Sequence, residues 1–303
     1  MNAYGEVTCE GSSCVAKESV VPDHPYVTAE MRRRFWDDGV VLLPQVLDRQ
    51  WVDLVRLGIE RNLRNPGPYR TMHYGGSPRE FLDDYCNYHA IPEYRMLLQY
   101  SPIVEIVATI LGTENLWLFY EQIFVKDAAD SVARRTPWHQ DTTYWITGGT
   151  QLAGFWITVD DTPARDSLEF VRGSHRGPLF AGTAFDPNDE TTPYQPGDWP
   201  RIPDIEADRS AFDIVSFDIR SGDVVMFHPA MLHGGGASAD AKPRRTLSVR
   251  FFGDDVTYQT RPRPAPPYPG TAALLKPGEP LRGPWFPQLY PAADTHPNAP
   301  LRT

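Results

Sequence analysis

The sequence predicts an α+β protein whose core is a two-sheet jelly-roll barrel, with helices ahead of the barrel packed on one sheet. Three observations carry this expectation. Apolar residues recur at helical spacing before about residue 115 and not after it. From Leu116 onward the apolar runs are short, rich in aromatic and β-branched residues, and separated by glycine-containing turn signals. Helices first and antiparallel strands afterwards is the α+β order, and a jelly roll is a compact way to shelter the edges of many short strands.

Residues 1–24 read as a mobile polar tail ahead of a single domain, 25–303, divided into a helical part 25–115, a barrel 116–254 and a proline-rich wrap 255–303. Thr28 to Asp38 is a short helix with Met31 and Phe35 on one face. Val40 to Leu43 is an apolar strand ended by Pro44, which has no amide to give to a ladder. Asp48 caps a helix in which Val52, Val55, Ile59 and Leu63 form one stripe, and Asn65-Pro-Gly67 stops it. Ser101-Pro102 opens another helix, with Ile103, Val107 and Ile110 on its buried face and Gly112 at its end. Leu116 to Val125, Gln151 to Val159, Asp223 to His228 and Arg245 to Phe252 read as strands. Ala181 to Ser210 is too long for a plain connector and is expected to be a lid or substrate loop. The proline-dense stretch from Thr260 to Thr303 is expected to wrap the barrel, anchored by Trp285, Phe286 and Tyr290.

The net charge of −10 argues against nucleic acid, whose phosphates need clustered Lys and Arg, and against anionic membrane surfaces. No apolar run approaches the ~20 residues of a spanning helix, and Met1 to Glu18 lacks the basic start and apolar stretch of a signal peptide. The three cysteines, Cys9, Cys14 and Cys86, are an odd number and no disulfide framework, which fits a reducing cytoplasm. The expected partner is a small molecule, with the chain as a monomer or homodimer.

The residues that carry chemistry are His139 and Asp141, in Pro137-Trp-His-Gln-Asp141, and His233, which follows 94 residues after His139. Two imidazoles and a carboxylate on one face of a metal, with the other positions open, make the site of non-haem Fe(II) oxygenases. In an extended strand a His-x-Asp pair points both side chains the same way while Gln140 points away. Eleven residues beyond His233 stands Arg244, whose guanidinium could grip a carboxylate through two parallel hydrogen bonds. His228 is a rival third ligand and Arg245 a rival clamp.

Four blocks together resemble the phytanoyl-CoA dioxygenase family of Fe(II)- and 2-oxoglutarate-dependent oxygenases. They are Phe119-Tyr-Glu-Gln-Ile-Phe-Val-Lys126, Pro137-Trp-His-Gln-Asp141, Asp166-Ser-Leu-Glu-Phe-Val-Arg-Gly-Ser-His175, and the stretch from Ser221-Gly-Asp-Val-Val-Met-Phe-His228 through His233 to Arg244. With the helical region before them, the resemblance spans about residues 30 to 252. It implies a double-stranded β-helix, the cupin-like jelly roll, with Fe(II) on His139, Asp141 and His233. It further implies 2-oxoglutarate chelating that iron with its far carboxylate on Arg244, and O2 as the second cosubstrate. Gln122 and Trp156 are similar to family positions that touch 2-oxoglutarate, whereas Lys126 reads as a surface charge. Gly235 stands where the family often has a hydroxyl. Trp138, Tyr144 and Trp145 are candidate walls of a substrate pocket.

The reaction implied is oxidation of an unactivated C–H bond, a hydroxylation in the simplest case, with release of succinate and CO2. Halogenating relatives replace the carboxylate ligand by a small residue; Asp141 is retained here. A coenzyme A thioester would need a basic landing patch, but the strand and loop regions carry Asp160, Asp161, Asp186, Asp189, Glu190, Asp204, Glu206 and Asp208. The expected substrate is therefore a small metabolite or natural-product intermediate. The alternatives are an acyl-CoA 2-hydroxylase of the phytanoyl-CoA type and a catalytically silent jelly-roll ligand-binding protein.

Overall fold

The structure, a computed structural model, describes residues 24–73, 81–126, 135–186, 189–195, 197, 199–235 and 244–291, together with the backbone of a hairpin at 7–10 and 13–16. That hairpin, β1 (Val7–Glu10) with β2 (Ser13–Ala16), lies in the stretch expected as a tail and sets Cys9 opposite Cys14; the side chains of both lie outside the described residues.

Helix α1 (Ala29–Asp38) starts where Thr28 Oγ1 accepts the Met31 amide at 3.1 Å, a cap worth about 1 kcal/mol. It ends at Gly39, whose φ of 84° is left-handed. A side chain at residue 39 would also come within 2.4 Å of His175 Nδ1, so glycine is required twice over. Strand β3 (Val40–Leu43) follows, then α2 (Arg49–Arg64), capped by Asp48 as expected. Three further elements, β4 (Thr71–His73), β5 (Phe81–Tyr85) and α3 (Pro92–Tyr100), lie where the sequence suggested nothing definite. Helix α4 (Ile103–Leu111) closes on left-handed Gly112; at its start Ser101 Oγ stands 3.5 Å from the Ile103 amide, a weak contact.

The barrel strands are β6 (Leu116–Lys126), β7 (Thr136–His139), β8 (Thr147–Gly148), β9 (Leu152–Thr158), β10 (Leu168–Val171), β11 (Ile214–Ser216), β12 (Val224–Phe227), β13 (His233–Gly235) and β14 (Arg244–Phe252). Strand β15 (Thr257–Tyr258), helix α5 (Thr271–Leu274) and β16 (Gln288–Tyr290) complete the chain. The larger sheet runs β3-β12-β9-β14-β6-β5-β4 with β16 also on β6, and the smaller runs β11-β10-β13-β7. Every pairing is antiparallel.

Strand alternation gives the larger sheet two unlike faces. Leu247, Val249 and Phe251 of β14, with Ile123 and Val125 of β6, join Phe35, Val55, Ile59, Leu97 and Val107 of the helices in one apolar core. Between them on β14 stand Arg244, Thr246, Ser248 and Arg250, in register with Lys126, Phe124, Gln122 and Tyr120. The β14 residues of this polar face are buried all the same, while Gln122 and Phe124 are half-buried. An apolar plug of Trp156, Phe170, Val225, Phe227 and Met231 joins the sheets at one end. The wrap is anchored by Trp285 and Phe286, which pack with Phe119 and Phe252, and Tyr290 rests against the helical core. Among the described residues no helix is long and apolar enough to cross a membrane.

Candidate metal centre

Strands β7 and β13 are neighbours in the smaller sheet, and their register pairs His139 with His233. Strand β7 ends at His139, and extended Gln140 leads into a 3-10 turn at Asp141–Thr143, which returns the carboxylate to the imidazole side. Gln140 points the other way and is tied down, donating to the Ala230 carbonyl at 2.7 Å and accepting from the Phe180 amide. Asp141 Oδ1 lies 3.5 Å from His139 Nε2 and 4.0 Å from His233 Nε2. One ligand atom from each of the three residues falls within 4.8 Å of the others. Donors about 2.1 Å from an ion and at right angles to each other stand about 3 Å apart, so small side-chain rotations close this set on one ion.

Each imidazole is held by its own backbone. His139 Nδ1 donates to the Pro137 carbonyl at 2.8 Å, and His233 Nδ1 donates to the Met231 carbonyl at 3.0 Å. Both Nε2 atoms are thereby left with a lone pair facing Asp141. Burial, with His139 beside it, pushes the His233 pKa down to about 4, so it stays neutral and able to ligate. Burial alone would raise the Asp141 carboxyl, but the nearby positive charge of Arg250 works against it, and the carboxyl is held well below the usual carboxylate range. Neutral imidazoles beside an ionised carboxylate are the donor set that a divalent transition metal takes.

On the inward face of the larger sheet lie two buried basic residues. Arg244 and Lys126 are register partners, 9% and 3% exposed. Lys126 is thus no surface charge; it is the inward residue at the end of β6. Burial pushes the Arg244 pKa down to about 10 and drives that of Lys126 well below its usual value, with Arg244 and Arg135 adding to the effect on Lys126. Arg244 Nη1 donates to the Asp166 carbonyl. Burial works against the charge on both groups, and a bound anion would offset that cost.

The remaining sequence candidates divide. Gln122 lies on the same face and donates to Asp83 Oδ2 at 2.6 Å, while His73 Nε2 meets Asp83 Oδ1 at 3.0 Å. Trp156 sits in the intersheet plug. Tyr144 is 6.4 Å, ring to ring, from His139. Trp138 does not line the site: one residue from His139 on a strand, it faces the opposite way, packs on Ile202 and Ile205, and donates to Glu206 at 2.8 Å. Trp145, 1% exposed, packs edge-on to Tyr120 and tilted on Phe119 within the aromatic cluster that anchors the wrap. Arg245 alternates outward, 4.0 Å from Glu60 on α2. His228 accepts from the Ala230 amide and donates to the Thr150 carbonyl, so both ring nitrogens are used. A Cβ at Gly235 would come 2.8 Å from Thr136 Oγ1, so a side chain bearing the family's hydroxyl would crowd Thr136 there.

Two neighbours of the cluster escaped the sequence reading. Arg250 approaches Asp141 to 3.7 Å, and period two from Arg244 would have placed it on this face. Phe185, from the long loop 181–210, packs edge-on to His139 at 5.4 Å; nothing local marks it.

Comparison with known proteins supplies the family. The family model for phytanoyl-CoA dioxygenase matches residues 35–246. A Caenorhabditis elegans protein described as a "Probable phytanoyl-CoA dioxygenase" is 23% identical over 180 residues, 58% of this chain and 54% of its own length, so the match spans about half of that relative. Among solved structures, the non-haem α-ketoglutarate-dependent carbocyclase SnoK of nogalamycin biosynthesis is similar with TM-score 0.66 and 24% identity, over 86% of this chain and 96% of its own. The epimerase SnoN of the same biosynthesis gives 0.67 and 22%, over 88% and 98%. AviO1 from Streptomyces viridochromogenes gives 0.57 and 20%, over 76% and 96%. At these identities the likeness is one of fold.

Proposed function

The chain belongs to the phytanoyl-CoA dioxygenase family, and from that premise we propose that it is an Fe(II)- and 2-oxoglutarate-dependent oxygenase acting on a C–H bond of a small metabolite or natural-product intermediate. The observation that carries the reading is the joint placement of two features on facing strands: the His139, Asp141, His233 cluster and the buried pair Arg244 and Lys126. His139, Asp141 and His233 would hold the iron, and Arg244 and Lys126 the far carboxylate of 2-oxoglutarate. The bound iron and keto acid supply the oxidant, at the cost of one O2 and with release of succinate and CO2.

The protein's own part is placement and shelter. Backbone carbonyls fix the imidazole tautomers, and Asp141 fills the position that a halide would need, which favours hydroxylation or a related oxidation. The loop 181–210 covers the ligand side: Phe185 abuts His139, Tyr194 abuts Tyr144, and Thr183 exchanges two hydrogen bonds with the Tyr144 hydroxyl. We read this loop as the lid that keeps water from the reacting centre.

Beyond Phe185 the rings continue to His73 at 6.4 Å, and Tyr85 stacks on Tyr69 at 5.1 Å. The chain His73–Asp83–Gln122 adds hydrogen-bonding groups on that side. Rings around a short polar chain suit a compact organic substrate with a hydroxyl or carbonyl. SnoK and SnoN act in nogalamycin biosynthesis, which supports a natural-product substrate.

Anaerobic titration with Fe(II) and 2-oxoglutarate tests the cofactor reading, which requires a weak visible charge-transfer band. Succinate release across a library of small metabolites then tests the substrate reading. A coenzyme A thioester driving succinate formation well above every other compound would overturn the substrate class and leave the cofactor reading intact.

A further inference from the structure

Asp141 has two carboxylate oxygens with different neighbours. Oδ1 faces the imidazoles of His139 and His233, and Oδ2 faces Nε of Arg250 at 3.7 Å. Neither Oδ2 nor that Nε has a hydrogen-bond partner among the described residues. Arg250 is 4% exposed, its carbon centre lies 4.6 Å from the Tyr120 ring and 5.9 Å from that of Phe124, and Nη1 makes one long contact, 3.4 Å to the Ser248 carbonyl. A guanidinium keeps its proton even when buried, and an unpaired buried charge is costly. Asp141 Oδ2 is therefore the counter-charge that permits Arg250 to be there.

We propose that Arg250 is a positioning residue that engages Asp141 Oδ2 and keeps the carboxylate attached to the metal through Oδ1 alone. This rests on the metal-site reading above. A carboxylate can give a metal one oxygen or two. Of six octahedral positions, three go to the protein ligands when Asp141 gives one oxygen; a chelating keto acid takes two, and one remains for O2. A second oxygen from Asp141 would fill that last position. Arg250 occupies the side from which the carboxylate would have to turn. Its place is built in: Tyr120, its register partner on β6, carries the flat ring beneath the guanidinium.

The test needs neither substrate nor turnover. Wild type, Arg250→Gln, Arg250→Met and Arg250→Lys are titrated with Co(II), whose visible bands report coordination number, and with Mn(II) for affinity. Circular dichroism melts verify folding, and the Gln and Lys variants stand if the Met variant does not fold. Arg250→Gln and Arg250→Met are expected to shift the Co(II) bands and to weaken Mn(II) binding about tenfold, the usual effect of losing a residue that orients a ligand. Arg250→Lys, which keeps the charge without the fork, should recover part of both. Folded Gln and Met variants with wild-type bands, and with Mn(II) affinity within about twofold of wild type or tighter, overturn the role. If wild type itself takes up no Co(II), the metal-site reading falls, and the role of Arg250 with it.

Discussion

His139 and His233 stand opposite each other in one register position of the smaller sheet, their rings 4.2 Å apart, although 94 residues separate them in the chain. The candidate metal site is thus a property of strand pairing: β13 must find β7 before the three side chains meet.

His139→Ala or His233→Ala is expected to abolish stoichiometric binding of Fe(II) or Mn(II); His233→Ala should also lower the melting temperature, because the buried ring packs on Phe170 and Phe227. Equilibrium dialysis with metal analysis checks this. Wild-type stoichiometry in His139→Ala would defeat the ligand assignment.

Arg244→Met should leave metal binding intact and raise the 2-oxoglutarate concentration for half-maximal charge-transfer absorbance by roughly tenfold or more, the worth of one lost charged hydrogen bond. Lys126→Met should act in the same direction. Because each variant leaves the other cation in place, the double variant should bind the keto acid more weakly than either single one. A double variant that binds as tightly as wild type would remove both from the site.

The sequence made some of this visible and hid the rest for physical reasons. Asp48, Gly112 and the stripe of Val52, Val55 and Ile59 are local signals, and the helices they mark are legible. Strands β10, β11 and β13 span only three or four residues, too few for alternation to be read. Lys126 was misjudged because a lysine ending a strand is usually solvated; only the register with Arg244 reveals that it points inward. Trp138 and Trp145 were misjudged because aromatic residues near a ligand pack outward or behind as readily as toward it.

Phe185→Ala and His73→Ala test the lid and the substrate side. Keto-acid turnover without substrate should persist or rise in Phe185→Ala, as water gains access, while coupling of succinate to oxidised product falls. His73→Ala should raise KM for a true substrate and leave the charge-transfer band unchanged. Identical coupling ratios in wild type and Phe185→Ala would argue that the loop only covers the barrel.

Glu121, on the helix-facing side of β6, accepts a hydrogen bond from the Asn87 amide, and burial pushes its carboxyl up to about 7. The unfolded chain gives up that proton near the ordinary value of 4.5, whereas the folded chain keeps it until about 7. From this group the fold has no penalty below the unfolded value, loses stability as pH climbs toward about 7, and stays lower above it, by an amount on the order of 3 kcal/mol. Melting temperatures from pH 5 to 8 should therefore fall less steeply in Glu121→Gln than in wild type. Parallel curves would show that the carboxyl ionises at its ordinary value.

Strand β6 is flanked by β5 only along Gln122–Val125; its first residues, Leu116 and Trp117, are flanked instead by β16, and the Tyr268 hydroxyl donates to the Phe119 carbonyl from the same late stretch. A strand synthesised before mid-chain therefore waits for residues made about 170 positions later before both its borders are sealed. During translation it must stay out of wrong pairings, and nascent chains released early would leave that border open to a neighbour's strand, so the proline-dense end of the molecule governs its yield as much as its shape.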